Sequence, residues 1–131
     1  MSVEENFELV RRAYAAFSAG DAATLMEVFA ADIVHAIPGS SAIAGSHKGT
    51  QDVLTMYGRL GELSGGSMRV ELEDMLSDGG NRVISIHRTT AERNGQTMAE
   101  REALLITIVD GKVAEIQDFF TDIGAIDSFW S

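Results

Sequence analysis

The chain has 131 residues, 45% of them hydrophobic and 23% charged, which indicates one globular domain, residues 1–131, able to bury a core. The formal net charge of −10 disfavours nucleic acid and anionic membrane surfaces as partners, because both usually require a basic patch. Cysteine is absent, which excludes disulfides, thiolate metal sites and a cysteine nucleophile.

The first half of the chain has the pattern of helices around one short strand. The acidic N-terminus lacks the basic and then apolar order of a signal peptide, so we expect a cytoplasmic protein. Apolar residues at spacings of three and four predict a helix over 4–19, and Asp21 can cap a second helix that runs through Phe29. A strand over 32–37 stops at the only proline. A third helix begins at Gly49 or Thr50 and ends before Ser64.

The second half changes to the period of strands. Four strands are predicted, at Met68–Ser77, Arg82–Arg93, Gln96–Val109 and Lys112–Thr121. Between them lie tight-turn sequences, among which Asn94-Gly95 and Asp110-Gly111 are the clearest. Consecutive strands joined by short turns are antiparallel neighbours. The sequence therefore predicts an α+β domain in which three N-terminal helices pack on one face of a mostly antiparallel sheet.

Several sequence segments, together spanning most of the chain, resemble the NTF2-like superfamily and its SnoaL-like, ketosteroid-isomerase-related branch. They are AYAAFSAGD, FAADIVHAIPGSSAIAGSHKG, TAERNG, DGKVAEIQDFFTD and DSFWS. The most specific of them contains the pattern HxxPG followed by AGxxxG, at His35–Gly39 and Ala44–Gly49. The resemblance implies a cone formed by a strongly curved sheet and three helices around a deep apolar pocket, usually in a homodimer. It leaves the activity open, because such folds carry many unrelated functions.

Two catalytic centres known in this superfamily are missing. Ketosteroid isomerase, a well-known case of pKa tuning, uses an Asp base, a Tyr and a protonated Asp. By the resemblance these would fall at Ile37, Ala13 and Ala103 or Leu104, none of which has the required side chain. The Arg-x-Asp centre of limonene epoxide hydrolase is also unmatched, because Arg101 is followed two positions later by Ala103. Steroid isomerisation by the known mechanism is therefore excluded.

A histidine and an aspartate are the candidate catalytic groups. If the family's base position at Ile37 faces the pocket, strand alternation places His35 there as well. The same alternation on the last strand directs Ile116, Asp118 and Phe120 inward and puts Asp122 at the rim. An aspartate among apolar residues is costly unless it is paired or protonated. We therefore predict catalytic roles for His35, Asp118 and Asp122.

The predicted pair would act without a cofactor or metal. A carboxylate can orient an imidazole that titrates near neutral pH, and the pair could abstract a proton next to a carbonyl, promote a dehydration or activate water. The expected substrate is a small apolar carbonyl compound. Two alternatives stay open: a binding protein for a hydrophobic ligand, in which the His–Asp bond is only structural, and a dimerising module for another protein.

Further residues are candidates for binding the substrate. They are Tyr14, Ile37, Tyr57, His87, Ile116, Phe120 and Trp130. His87 has Ser85 and Thr89 on its own face of a long strand, so it lines either the pocket or a dimer face. The three histidines have no metal-binding spacing, and we expect His47 to lie in a solvated loop.

Charged residues along the second and third long strands predict a polar sheet face. Three arginines stand opposite three glutamates: Arg88, Arg93 and Arg101 against Glu92, Glu100 and Glu102. Exposed pairs of this kind contribute under about 1 kcal/mol each. Their interpretation as cross-strand ion pairs makes this face suitable for a wet interface, and we expect a homodimer through the sheet.

Overall fold

The structure, a computed structural model, describes residues 1–131 and contains four helices and six strands. The helices are α1 (Val3–Ala19), α2 (Ala22–Val28), α3 (Thr50–Leu63) and α4 (Ile123–Phe129). The strands are β1 (Phe29–Ile37), β2 (Gly45–Lys48), β3 (Arg69–Ser77), β4 (Arg82–Arg93), β5 (Gln96–Val109) and β6 (Lys112–Phe120). No helix has the length and apolar character that a membrane span requires.

The six strands form one curved sheet in the order β2-β1-β6-β5-β4-β3. Only β1 and β6 run parallel; all other neighbours are antiparallel. The β4–β5 ladder is regular from Arg82 opposite Thr107 to Arg93 opposite Gln96. The predicted α+β class with a mostly antiparallel sheet is confirmed, and the predicted bounds of the four long strands differ from the observed ones by at most one residue.

Local capping explains where the first two helices begin. Ser2 and Glu5 form a reciprocal capping box at the start of α1, which supplies partners for two backbone N–H groups. The α1 helix ends at Gly20, whose φ of 66° places it in the left-handed region that glycine adopts without strain. Asp21 then accepts a hydrogen bond from the Thr24 N–H and caps α2.

Two elements were not predicted. The residues expected to form a loop before α3 include the short strand β2, where His47 is half-buried and pairs through its ring with the Ile43 carbonyl at 2.8 Å. A fourth helix, α4, follows the last strand, so the helices are not all N-terminal. Asp122 begins this helix by accepting a hydrogen bond from the Ala125 N–H at 3.0 Å.

The C-terminal helix is tied to the loop that follows β1. Asp127 of α4 accepts hydrogen bonds from the backbone N–H groups of Ser40 and Ser41, at 2.9 and 3.1 Å. Gly39 allows this approach, because a Cβ at its position would lie 2.2 Å from Asp127 Oδ1 and its φ is 100°. Trp130, which follows α4, is 2% exposed and packs in one buried cluster with Ile126 and Phe129.

The outer face of the sheet is a mixture of apolar and charged residues. Leu76, Ile84 and Phe119 are 52%, 42% and 53% exposed. Arg101 pairs on this face with Glu73 of β3 at 2.9 Å rather than with a residue of β4. The homodimer through this face stays a prediction.

Candidate functional site

The inner face of the sheet and the helices enclose a cavity of about 110 Å³. Of the 25 residues that line it, 20 are hydrophobic. The five others are His35, His87, Thr89, Glu102 and Asp118. A mostly apolar concavity with a few convergent polar groups is the usual form of a small-molecule site. Any chemistry in this cavity therefore depends on these few residues and on the two tyrosines beside them.

The first polar group joins β1, β6 and α3. Residue 35 stands opposite Ile116 in the parallel β1–β6 ladder, so Asp118, two residues further along β6, lies on the same face. His35 Nε2 is 2.7 Å from Asp118 Oδ1, and His35 Nδ1 is 2.9 Å from the Tyr57 hydroxyl. The His35 and Asp118 side chains are 7% and 13% exposed. We call this chain of hydrogen bonds, Asp118–His35–Tyr57, the first relay.

The partners fix the proton positions in the first relay. An ionised carboxylate only accepts, so the Nε2–H of a neutral His35 donates to Asp118. The remaining nitrogen, Nδ1, then accepts from the Tyr57 O–H. Burial, followed by the charge of Asp118 and the nearby Tyr14, raises the pKa of Tyr57 well above its ordinary value, so this hydroxyl stays protonated. Both nitrogens of His35 are therefore occupied by protein groups.

A second chain of the same type crosses β4, β5 and α1. His87 Nε2 is 3.0 Å from Glu102 Oε1, and His87 Nδ1 is 2.6 Å from the Tyr14 hydroxyl. We call Glu102–His87–Tyr14 the second relay. Two hydroxyls brace it: Thr89 donates to Glu102 Oε1 at 2.7 Å, and Ser85 lies 2.7 Å from the Tyr14 hydroxyl.

Electrostatics keeps the tyrosine of the second relay protonated as well. Burial raises the pKa of Tyr14, and the charges of Asp118 and Glu102 act in the same direction, whereas the hydrogen bond with Ser85 acts against them. The Tyr14 ring also meets the His87 ring edge to face, with centroids 5.5 Å apart. The charges of both carboxylates therefore act on this one hydroxyl.

The sheet register places the two relays side by side. Asp118 stands opposite Leu104 and Phe120 stands opposite Glu102, so the two carboxylates are diagonal neighbours on adjacent strands. Such neighbours are about 7–8 Å apart at Cα. His35, Asp118, Glu102 and His87 thus form a polar row across four adjacent strands of an otherwise apolar face.

The structure brings most of the predicted site residues to the cavity. Those that line it are Tyr14, His35, Ile37, Tyr57, His87, Ile116, Asp118, Phe120 and Trp130. Asp122 is the exception. It is exposed and caps α4, so it does not join His35 in the cavity as predicted. Strand alternation no longer applies there, because β6 ends at Phe120.

Glu102, Ser85 and Thr89 are the polar residues of the site that the sequence interpretation did not assign. Glu102 was expected in an exposed ion pair, but its side chain is 10% exposed and pairs with His87. Alternation along β5 places Glu102 on the same face as Leu104 and Ile106, and this pattern could have predicted that Glu102 points inward. No group of three His, Asp or Glu side chains converges as a metal site would require.

Comparison with known proteins places this geometry in a family. The model of the SnoaL-like domain matches residues 10–116. The uncharacterized protein Rv0034 of Mycobacterium tuberculosis is 37% identical over 131 residues, which is the whole of both chains. Bal32a, from a soil-derived mobile gene cassette, has a similar structure with a TM-score of 0.93 and 42% identity over 98% of each chain. An NTF2-like protein of Burkholderia xenovorans aligns with a TM-score of 0.86 and 25% identity, over 100% of this chain and 99% of the other.

Proposed function

Because the chain belongs to the SnoaL-like domain family, we propose that its cavity performs acid–base chemistry, without a cofactor, on a small apolar molecule with an enolisable carbonyl group. The observation that carries the proposal is the 2.7 Å hydrogen bond between His35 and Asp118 inside an apolar cavity. A carboxylate held by an imidazole in such surroundings is poised to exchange a proton with a bound molecule.

The proposed step begins at the carboxylate of the first relay. Asp118 Oδ2 has no protein partner, whereas both nitrogens of His35 are occupied, so the oxygen is the atom that receives the proton. The substrate C–H bond next to the carbonyl breaks, and its electron pair moves into an enolate. The proton then returns from Asp118 to a different atom of the same substrate. Atoms and charge balance, and the net reaction is an isomerisation.

The other members of the relay support this transfer. His35 donates to Oδ1 and stabilises the carboxylate in one orientation. The Tyr57 hydroxyl, which stays protonated because burial raises its pKa, donates to His35 Nδ1 and so holds the imidazole in the tautomer that donates to Asp118. The apolar lining lowers the local dielectric, which strengthens both hydrogen bonds.

Catalysed exchange of substrate protons for deuterium tests the proposal. A panel of cyclic ketones and diketones is incubated with the protein in D₂O, and loss of the signal of the protons next to the carbonyl is followed by NMR. We expect exchange faster than in buffer, with a loss of about 100-fold or more in Asp118→Asn, the scale of a removed acid–base group. Asp122→Asn is the matched control and should keep the wild-type rate, because Asp122 lies outside the cavity.

A binding protein without catalysis is the second candidate. The observation that favours it is the saturation of His35, whose two nitrogens already have protein partners at 2.7 and 2.9 Å. A ketone that binds with measurable affinity but exchanges no faster than in buffer would support this candidate and reject the acid–base proposal.

A further inference from the structure

The hydrogen-bond donors of the two relays are all used within the protein. In each relay the tyrosine hydroxyl donates to the imidazole, and the imidazole N–H donates to the carboxylate. Thr89, the remaining polar residue of the lining, donates to Glu102. The indole N–H of Trp130 is the one donor group of the lining without a protein acceptor. A ligand in the polar row therefore finds almost no free donors.

Each relay keeps a free acceptor. Asp118 uses only Oδ1 and Glu102 uses only Oε1, so the second oxygen of each carboxylate has no protein partner. Asn6 Oδ1 is the only fully buried side-chain polar atom that lacks a partner. The two free carboxylate oxygens also lack partners, so neither of them is fully buried. Both residues line the cavity, so a bound molecule can reach both oxygens.

From these free acceptors we infer that the natural ligand is a neutral ring compound with two hydroxyl groups, one donating to Asp118 and the other to Glu102. The inference names the ligand class for the function proposed above and extends it to the second relay. A hydroxyl donor to a carboxylate forms a charge-assisted hydrogen bond, which is stronger than a bond between neutral groups. Enols and phenols carry such hydroxyls, and an enol is also a form of the carbonyl substrate.

The size and charge of the site restrict the ligand further. Asp118 and Glu102 are diagonal neighbours, about 7–8 Å apart at Cα, so one ring or a fused ring pair that carries its hydroxyls at different positions can span the two residues. One water needs about 10–15 Å³, so a cavity of about 110 Å³ takes a molecule of one or two rings. Two neighbouring carboxylates repel an acidic ligand.

A matched ligand series tests the inference on the wild-type protein. Isothermal titration calorimetry compares a naphthalene diol with hydroxyls at opposite ends, the corresponding naphthol, the dimethyl ether of the diol, and naphthoic acid. All share one ring system and differ in the number of donors or in charge. We expect the diol to bind about tenfold or more tightly than the naphthol, the ether to bind more weakly again, and the acid to be the weakest.

Variants then assign the second hydroxyl to Glu102. Glu102→Gln should reduce the diol affinity to that of the naphthol and leave the naphthol unchanged. Glu73→Gln, on the outer face beside Arg101, is the control and should change neither affinity. Equal affinity of the diol and its dimethyl ether for the wild-type protein would overturn the inference, as would a diol preference that survives in Glu102→Gln.

The outcomes separate this inference from the proposed function. Binding is measured without turnover, so a diol preference together with no deuterium exchange supports the two-hydroxyl ligand and rejects catalysis. Deuterium exchange in wild type without any diol preference rejects the two-hydroxyl ligand and leaves the role of Asp118 intact.

Discussion

The two relays contain the same chemical groups but differ in how firmly the protein holds them. In the first relay the Asp118 carboxylate has one hydrogen bond, and the Tyr57 hydroxyl has one. In the second relay the Glu102 carboxylate accepts two, and the Tyr14 hydroxyl has two partners. The first is therefore the more easily rearranged when a ligand binds, and the second is the more rigid anchor.

Both relays lie beside an irregularity of the sheet. The β3–β4 ladder shifts register between Leu72 and Asp74, and Leu72 stands opposite His87 of the second relay. The β1–β6 ladder under the first relay shifts register between Phe29 and Val34, one residue before His35. Such irregularities locally disrupt the ladder and re-aim side chains, and they occur often beside active sites. The relays therefore differ in their hydrogen bonds rather than in the strands beneath them, and that difference supports proton transfer at the first relay and ligand anchoring at the second.

Substitution of each histidine should give the largest difference in the free energy of unfolding between the two relays. His35→Leu leaves the Asp118 carboxylate without a partner in an apolar cavity, and loss of one partner of a buried pair costs about 3–5 kcal/mol. His87→Leu should cost less, because Glu102 keeps its hydrogen bond from Thr89. Urea unfolding at neutral pH measures both free energies.

A histidine outside the cavity provides the control for these variants. The only side-chain hydrogen bond of His47 is to a backbone carbonyl, so His47→Leu should lower the free energy of unfolding by less than either cavity substitution. If His87→Leu proved as destabilising as His35→Leu, the second relay would not be the better braced of the two.

The sheet could be predicted from the sequence because its signals are local. The turns that fix the strand ends use Asn94 and Asp110 at φ values of 52° and 51°, each followed by a glycine, which is the geometry that the sequence pattern indicates. Alternation within β1 and β6 then places His35 and Asp118 on one face. These inferences need no knowledge of distant contacts.

The composition of the site needed tertiary information. Tyr57 reaches His35 only because α3 packs over β1, and no spacing along the chain encodes that contact. Asp122 follows the last strand too closely to be separated from it by periodicity, although the chain turns into α4 at that point. The inward position of Glu102 was hard to predict because its neighbours on the same strand are charged and exposed. One of them, Arg101, does form an exposed ion pair.

Removal of each tyrosine hydroxyl should give a smaller effect, in the opposite order. Tyr57→Phe leaves one acceptor, His35 Nδ1, without its donor, whereas Tyr14→Phe affects both His87 and Ser85. An unsatisfied buried polar group costs about 1–3 kcal/mol. We therefore expect Tyr14→Phe to be the more destabilising in urea unfolding at neutral pH. A larger loss in Tyr57→Phe would contradict the view that the second relay is the more firmly braced.

Alkaline titration should reveal an effect on stability that is absent at neutral pH. The chain has two tyrosines, and burial is the main cause that raises the pKa of both. Below about pH 10 the hydroxyls are protonated in the folded and the unfolded chain, so they add no pH dependence. Above about pH 10 the unfolded chain loses these protons while the folded chain keeps them. The free energy of unfolding therefore falls with rising pH, by up to about 1.4 kcal/mol per pH unit for each tyrosine.

The measurement is tyrosinate absorbance followed together with circular dichroism as the pH rises. We expect the absorbance to appear only as the protein unfolds, because both hydroxyls donate to histidines in the folded state. Tyr14→Phe and Tyr57→Phe each leave one tyrosine, so each relay is titrated separately, and the double variant supplies the baseline. Tyrosinate that forms near pH 10 in a protein with unchanged circular dichroism would show that the relay concerned is open to solvent. If this happened only in Tyr14→Phe, where Tyr57 remains, the first relay would be the one that opens, as its fewer hydrogen bonds imply.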